Sequence, residues 1–311
     1  MRVCAISVDL DEMRHYYAIH GILPPRAEPQ AIHAVYDLAL LRFREFASSL
    51  KLPLTLFAVG ADLERTENAA LLASLAHDGH EIANHTYDHL YDLSRRSRNQ
   101  IRDQVARASD AITEHTGQRP TGFRAPGYVM TDEVYAALAD VGVEYSSSVF
   151  PCPYYYLAKL AKLGALKLKG RTSESILDVP RVMAAPTKPY HVGHPYWRRG
   201  AGVLELPIQV TPGLRLPFIG TSLALLGPER ARWFTRMLSG RELVNLELHG
   251  IDLLDEKDHQ STLAPHQFDL RISVERKRAT FVAVVEALRA LGYSFVRLDE
   301  AARRFRGSAA A

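Results

Sequence analysis

Cysteine is nearly absent. Among 311 residues only Cys4 and Cys152 are cysteines, and they form no C-x-x-C pair. That excludes a disulfide framework and a cysteine-based zinc site. Long apolar runs are missing too: no stretch approaches the ~18 uncharged apolar residues of a membrane span. The first residues, Met1-Arg2-Val3-Cys4-Ala5-Ile6-Ser7-Val8, lack the apolar core and cleavage site of a signal peptide, so the expected location is cytoplasmic. No charge of one sign dominates. A net charge of +3 gives no argument for a nucleic-acid partner, although it does not repel anionic substrates or lipid headgroups. Internal repeats and low-complexity linkers are also absent, so one domain over 1–311 is the simplest organisation.

What is present is an alternation of strands and helices. Residues 2–8 read as a strand ending in Asp9-Leu10-Asp11, and period-two alternation puts both aspartates on one side. Residues 12–30 are polar and proline-rich and are expected to form a long loop. Apolar spacing predicts helices over 31–50 and 67–78, with a buried strand over 54–60 between them. Ser97 and Gln100 have capping-box spacing for a helix that ends at Gly117. A strand then runs into the turn Thr121-Gly122-Phe123-Arg124-Ala125-Pro126-Gly127-Tyr128. Thr131 caps a helix that Gly142 ends, and 144–150 is a further strand. Such a pattern implies parallel βαβ units, with the chemistry at the C-terminal strand ends.

The rhythm breaks in the middle. We expect an insertion at about 151–200 and a variable apolar segment at about 211–240. Residues 157–169 alternate Leu and Ala with Lys. They suit either a surface helix with its apolar side on the barrel, or an interfacial helix that approaches a membrane surface or a lipid-linked substrate. Short strands are expected over 178–183 and 202–209, and a His-bearing loop at His191-Val192-Gly193-His194. Residues 243–250 form a clear strand that carries His249. A long helix follows over 273–291, then a closing strand over 293–298, a short basic helix and a small-residue tail.

The stretch Asn84-His85-Thr86-Tyr87-Asp88-His89 places two histidines four residues apart. If it turns helically, both imidazoles share a face and reach one metal. Alone, in a chain with 13 histidines, such a spacing is more often a solvated pair than a metal site.

Four motifs in register carry more weight. Asp9-x-Asp11, His85-x-x-x-His89, Arg124-x-Pro126-Gly127 and Leu246-x-Leu248-His249 resemble, in order and in their place on strand ends, the polysaccharide deacetylase family (carbohydrate esterase family 4, the nodulation-deacetylase homology domain). The resemblance covers residues 1–150 and about 200–300. It implies an α/β fold, a distorted (β/α)7 barrel, and metal-dependent removal of an N-acetyl or N-formyl group from an amino sugar. Leu10 between the two aspartates looks like the unsecreted subgroup. The family's Asp-rich fourth motif has no counterpart; Ser146-Ser147-Ser148 stands in its place. The acid that tunes the catalytic histidine is left open between Asp252 and Asp178.

On this reading Asp11, His85 and His89 hold one divalent ion, zinc being the expected one. Asp9 is the general base and Arg124 keeps it ionised and oriented. After Pro126, the N–H of Gly127 or Tyr128 meets the oxyanion. His249 protonates the leaving amine.

Other classes remain to be weighed. A serine hydrolase needs a nucleophile elbow, which Gly220-Thr221-Ser222-Leu223-Ala224 matches only in half. A metal amidohydrolase for a non-sugar amide, a cyclic ureide or formamide, would use the same barrel. A non-catalytic carbohydrate-binding member would have lost Asp9 or a ligand. Substrate choice is expected in 12–30 and 151–240, and the apolar middle favours a nucleotide-linked or lipid-linked sugar precursor.

Overall fold

The computed structural model describes residues 2–26 and 29–307. Residue 1, residues 27–28 of the expected loop and the tail at 308–311 lie outside the described residues.

Among the described residues nine strands make one sheet: β1 (Arg2–Asp9), β2 (Leu54–Ala58), β3 (Glu81–Asn84), β4 (Gly122–Phe123), β5 (Tyr145–Ser146), β6 (Tyr190–Val192), β7 (Arg199–Glu205), β8 (Leu243–His249) and β9 (Tyr293–Phe295). The helices are α1 (Met13–His20), α2 (Leu40–Leu50), α3 (Thr66–His77), α4 (Arg98–Thr116), α5 (Asp132–Asp140), α6 (Pro153–Leu168), α7 (Gly220–Leu226), α8 (Pro228–Thr235), α9 (Val274–Ala290) and α10 (Leu298–Phe305). The spatial order is β6-β7-β5-β4-β3-β2-β1-β8, with β9 beside the start of β1; only the β6–β7 pair is antiparallel.

Helices cover the parallel strands, so β1 and β2 read as unbroken buried runs. Ile6 and Val8 of β1 share a core with Phe43 and Phe46 of α2 and Leu246 and Leu248 of β8. Each such side chain, fully buried, contributes roughly 1.5–3 kcal/mol. The sheet curls until its ends meet. Beyond β7, Gln209 N–H donates to the Asn245 carbonyl of β8 at 3.1 Å. The Asn245 amide donates to the Leu206 and Pro207 carbonyls at 2.8 and 3.2 Å and to Ser147 Oγ at 2.9 Å. The result is the expected α/β fold, a distorted barrel.

Local signals act as read at α4, where Ser97 and Gln100 form the capping box and Gly117 closes the helix at φ +70°. Other expectations need correction. The loop over 12–30 contains α1. The predicted strand over 178–183 is instead a short 3-10 turn, Pro180–Ala184. His191 lies in β6 rather than a loop, and the broken apolar stretch after 211 contains α7. The strand over 144–150 shrinks to Tyr145–Ser146, because the Ser148 and Val149 N–H groups donate to Glu205 Oε1, both at 2.8 Å.

Helix α6 departs most. It leaves Leu157, Leu160 and Leu168 57, 48 and 91% exposed, while Leu166 is buried beneath it. Tyr155, Lys159, Leu163 and Leu166, at helical spacing, form the inward stripe, and Lys162 lies exposed at its edge. No helix of the described residues is long and apolar enough to cross a membrane.

Candidate active site

Register assembles the site. Asp9, the last residue of β1, pairs with His249, the last of β8. On the other flank β1 pairs with β2, β2 with β3, and β3 with β4, so His85 follows Asn84 and Arg124 follows Phe123 on neighbouring strand ends. Residues far apart in sequence thus share one rim.

The His85–His89 segment is not a helix. Thr86 and His89 take left-handed backbone angles, φ +66° and +52°, which costs roughly 1–2 kcal/mol per residue. Side chains offset that cost: Thr86 N–H donates to Asn84 Oδ1 at 2.8 Å, and His89 N–H to Thr86 Oγ1 at 3.0 Å. The Asn84 amide is in turn fixed to the Val105 carbonyl and Ser109 Oγ of α4.

This turn brings three buried groups together. Asp11 Oδ1 lies 3.0 Å from His85 Nε2 and 3.2 Å from His89 Nε2. Against burial, which raises it, the two imidazoles hold the Asp11 carboxyl well below the usual carboxylate range. His85 Nδ1 lies 2.8 Å from the Arg124 carbonyl. A carbonyl only accepts, so Nδ1 carries the proton and neutral His85 turns the Nε2 lone pair inward. Asp11 Oδ1 and both His89 ring nitrogens lack a hydrogen-bond partner among the described residues. Converging lone pairs without protons between them are the donor set of a divalent cation.

Asp9 sits beside this group. Arg124, fully buried, reaches Asp9 Oδ1 with Nη1 at 2.5 Å. Its other donors go to Ser7 Oγ (2.9 Å), Ser147 Oγ (2.8 Å) and the Ser147 carbonyl (2.7 Å), and the Phe57 ring lies 4.1 Å away. Burial raises the Asp9 carboxyl, and Arg124 and His85 oppose that rise.

His249 faces Asp9 from β8. Its Nδ1 lies 2.8 Å from Glu247 Oε1. The Tyr128 hydroxyl donates to the same oxygen at 2.9 Å and lies 3.1 Å from His249 Nε2. Burial pulls the imidazole down, but the Glu247 carboxylate outweighs it and holds His249 well above its ordinary value. Neither acid proposed from sequence touches that ring. Asp252 accepts the His249 backbone N–H at 2.8 Å. Asp178 accepts from the Tyr196 hydroxyl at 2.7 Å, on another part of the fold. The Tyr128 N–H is likewise spent, donating to the Ala125 carbonyl at 3.1 Å, so of the two expected oxyanion donors Gly127 remains. Gly127, after Pro126, takes φ +63°, which glycine adopts without strain.

A cavity of about 490 Å³ opens over Asp9, Asp11, His85 and His249. Tyr16, Tyr91, Tyr128 and Tyr155 supply much of its wall.

Residues 45–146 match the family model for polysaccharide deacetylase. Over that stretch the chain is similar to the polysaccharide deacetylase family. A chitooligosaccharide deacetylase from Bradyrhizobium sp. (strain ANU 289) is 35% identical over 94 residues, covering 30% of this chain and 42% of that protein. The match therefore spans less than half the length of that curated relative. Among crystal structures, Puue allantoinase superposes with a TM-score of 0.62 at 14% identity, over 98% of this chain and 90% of its own. A probable polysaccharide deacetylase from Pseudomonas aeruginosa PAO1 gives 0.61 at 14% identity, over 97% and 90%. At that identity the likeness shows the fold.

At this site the sequence reading passed over Glu247, although a strand places residues i and i+2 on one face and so pairs Glu247 with His249. It also passed over His15, whose ring packs 4.2 Å from that of His89. His15 lies on α1, inside what was read as a loop.

Proposed function

We propose that this protein hydrolyses the N-acetyl or N-formyl amide of an amino sugar, with one divalent ion, zinc, held by Asp11, His85 and His89. The observation that carries the reading is the convergence of those three buried groups beside a second cluster, Asp9, Glu247 and His249, on the same strand ends. When bound, the ion supplies Lewis acidity that acidifies water and polarises the acyl carbonyl.

The chain's own residues do the rest. Asp9, held by Arg124, takes a proton from the water that attacks the carbonyl carbon. The Gly127 N–H meets the oxygen that gains charge; such a donor contributes on the order of 3 kcal/mol. His249, kept protonated by Glu247, gives its proton to the nitrogen as the C–N bond breaks. The products are a carboxylate and a free amine. The tyrosines around the cavity offer apolar faces and hydroxyls, the chemistry that receives a sugar ring.

The test is acetate and formate release from a panel of N-acylated amino sugars, with metal added and chelated, and with a cyclic ureide as a comparison substrate. Metal-dependent release from a sugar supports the reading. Turnover of the ureide alone would move the enzyme to the non-sugar class.

A further inference from the structure

A second cavity, of about 340 Å³, lies beneath α6 and adjoins the first. Leu163 and Leu166 line it alone, while Ile19, Tyr155, Lys159 and Lys162 line both cavities. Apart from the two lysines, its wall is mainly apolar. The lysines therefore stand at the junction between the reacting centre and an apolar pocket.

Lys159 is poorly neutralised there. Its Nζ donates to the Gly127 carbonyl at 3.0 Å, and no salt bridge pairs it among the described residues. An ammonium has three donors, and one half-buried without an anionic partner is costly. Burial accordingly pulls Lys159 down to about 8, while Lys162 stands exposed at the cavity mouth. The outward leucines of α6 add an apolar lip over the same region.

We propose that the substrate is an amide-bearing sugar joined through a phosphate to a long aliphatic chain, with the phosphate between Lys159 and Lys162 and the chain in the cavity beneath α6. This rests on the hydrolytic reading of the adjoining centre and names its substrate class. Inorganic phosphate or a nucleotide offers the same anion without the chain, so the chain is what the experiment must detect.

The experiment is calorimetric titration of the purified full chain with alkyl phosphates of four to ten carbons, below their micelle concentrations, with inorganic phosphate and a neutral decyl glycoside as controls. Each added methylene is expected to tighten binding about four-fold until the cavity is full. Inorganic phosphate is expected to bind at least 100-fold more weakly than decyl phosphate. Lys159→Gln should weaken decyl phosphate about 10-fold and leave the neutral glycoside unmoved, and Leu163→Trp should flatten the chain-length series. Equal binding of butyl and decyl phosphate overturns the proposal, as does equal binding of decyl phosphate and the neutral glycoside. Because titration needs no turnover, it fails or succeeds separately from the release assay: acetate release from short N-acetyl sugars with a flat series would sink the chain site and leave the hydrolytic reading standing.

Discussion

His249 Nδ1 and Glu247 Oε1 lie 2.8 Å apart on residues that alternate along β8. The carboxylate raises the imidazole's proton affinity, so the acid form persists to higher pH. Glu247→Gln removes that support. The alkaline limb of the kcat/KM profile should move to lower pH, and turnover at mildly alkaline pH should fall roughly 10–100-fold, less than the full 10²–10⁴-fold contribution of a general acid. A pH–rate profile checks this; an unmoved limb would remove Glu247 as the group that tunes His249.

Asp9→Asn keeps the shape but removes the proposed base. Metal content should be retained while turnover falls by about 10²–10⁴-fold. Arg124, wholly buried, loses its ion-pair partner, so thermal stability should fall too; breaking such a pair costs roughly 3–5 kcal/mol. Metal analysis, initial rates and a melting curve separate the two effects.

Asn245 closes the sheet on itself. Asn245→Ala strands the Leu206 and Pro207 carbonyls and leaves Ser147 Oγ one donor short. Each buried group left unpaired costs about 1–3 kcal/mol. Urea unfolding should show a lower midpoint at an unchanged slope; an unchanged midpoint would show that the seam does not depend on this side chain.

Glu81, buried on β3, is pushed by burial from its ordinary 4.5 to about 7, against hydrogen bonds from Tyr145 and Thr55. Its folded form prefers the proton. Its contribution is therefore fully present below about 4.5 and is lost as pH rises towards 7. Relative to Glu81→Gln, the wild-type chain should lose on the order of 3 kcal/mol across that window. Denaturant titrations of both chains at several pH values check the slope; parallel curves would contradict it.

The fold and the outline of the site were legible where local chemistry and register agree. Asp9, Asp11, His85, His89, Arg124 and His249 all follow apolar strand runs, and parallel pairing forces strand ends onto one rim. Glu247 was overlooked because, in an apolar strand, an acid reads as an exception rather than as the face shared with His249. The left-handed angles at Thr86 and His89 were not legible, because the Asn84 side chain and its anchors on α4 create that turn. For α6 the sequence left two placements open, apolar side on the barrel or at an interface, and neither put Lys159 at the cavity. Hydrophobicity alone sends leucines to the core, and only the cavity beside Lys159 and Lys162 explains the reverse.

The central claim is that Asp11, His85 and His89 form one metal centre on which hydrolysis depends. Elemental analysis of His85→Ala alongside the wild-type chain, paired with the release assay on the same samples, tests it most directly. The account predicts about one divalent ion per wild-type chain, little or none in His85→Ala, and loss of release together with the metal. Full occupancy in His85→Ala, or undiminished release from a metal-free sample, would contradict it.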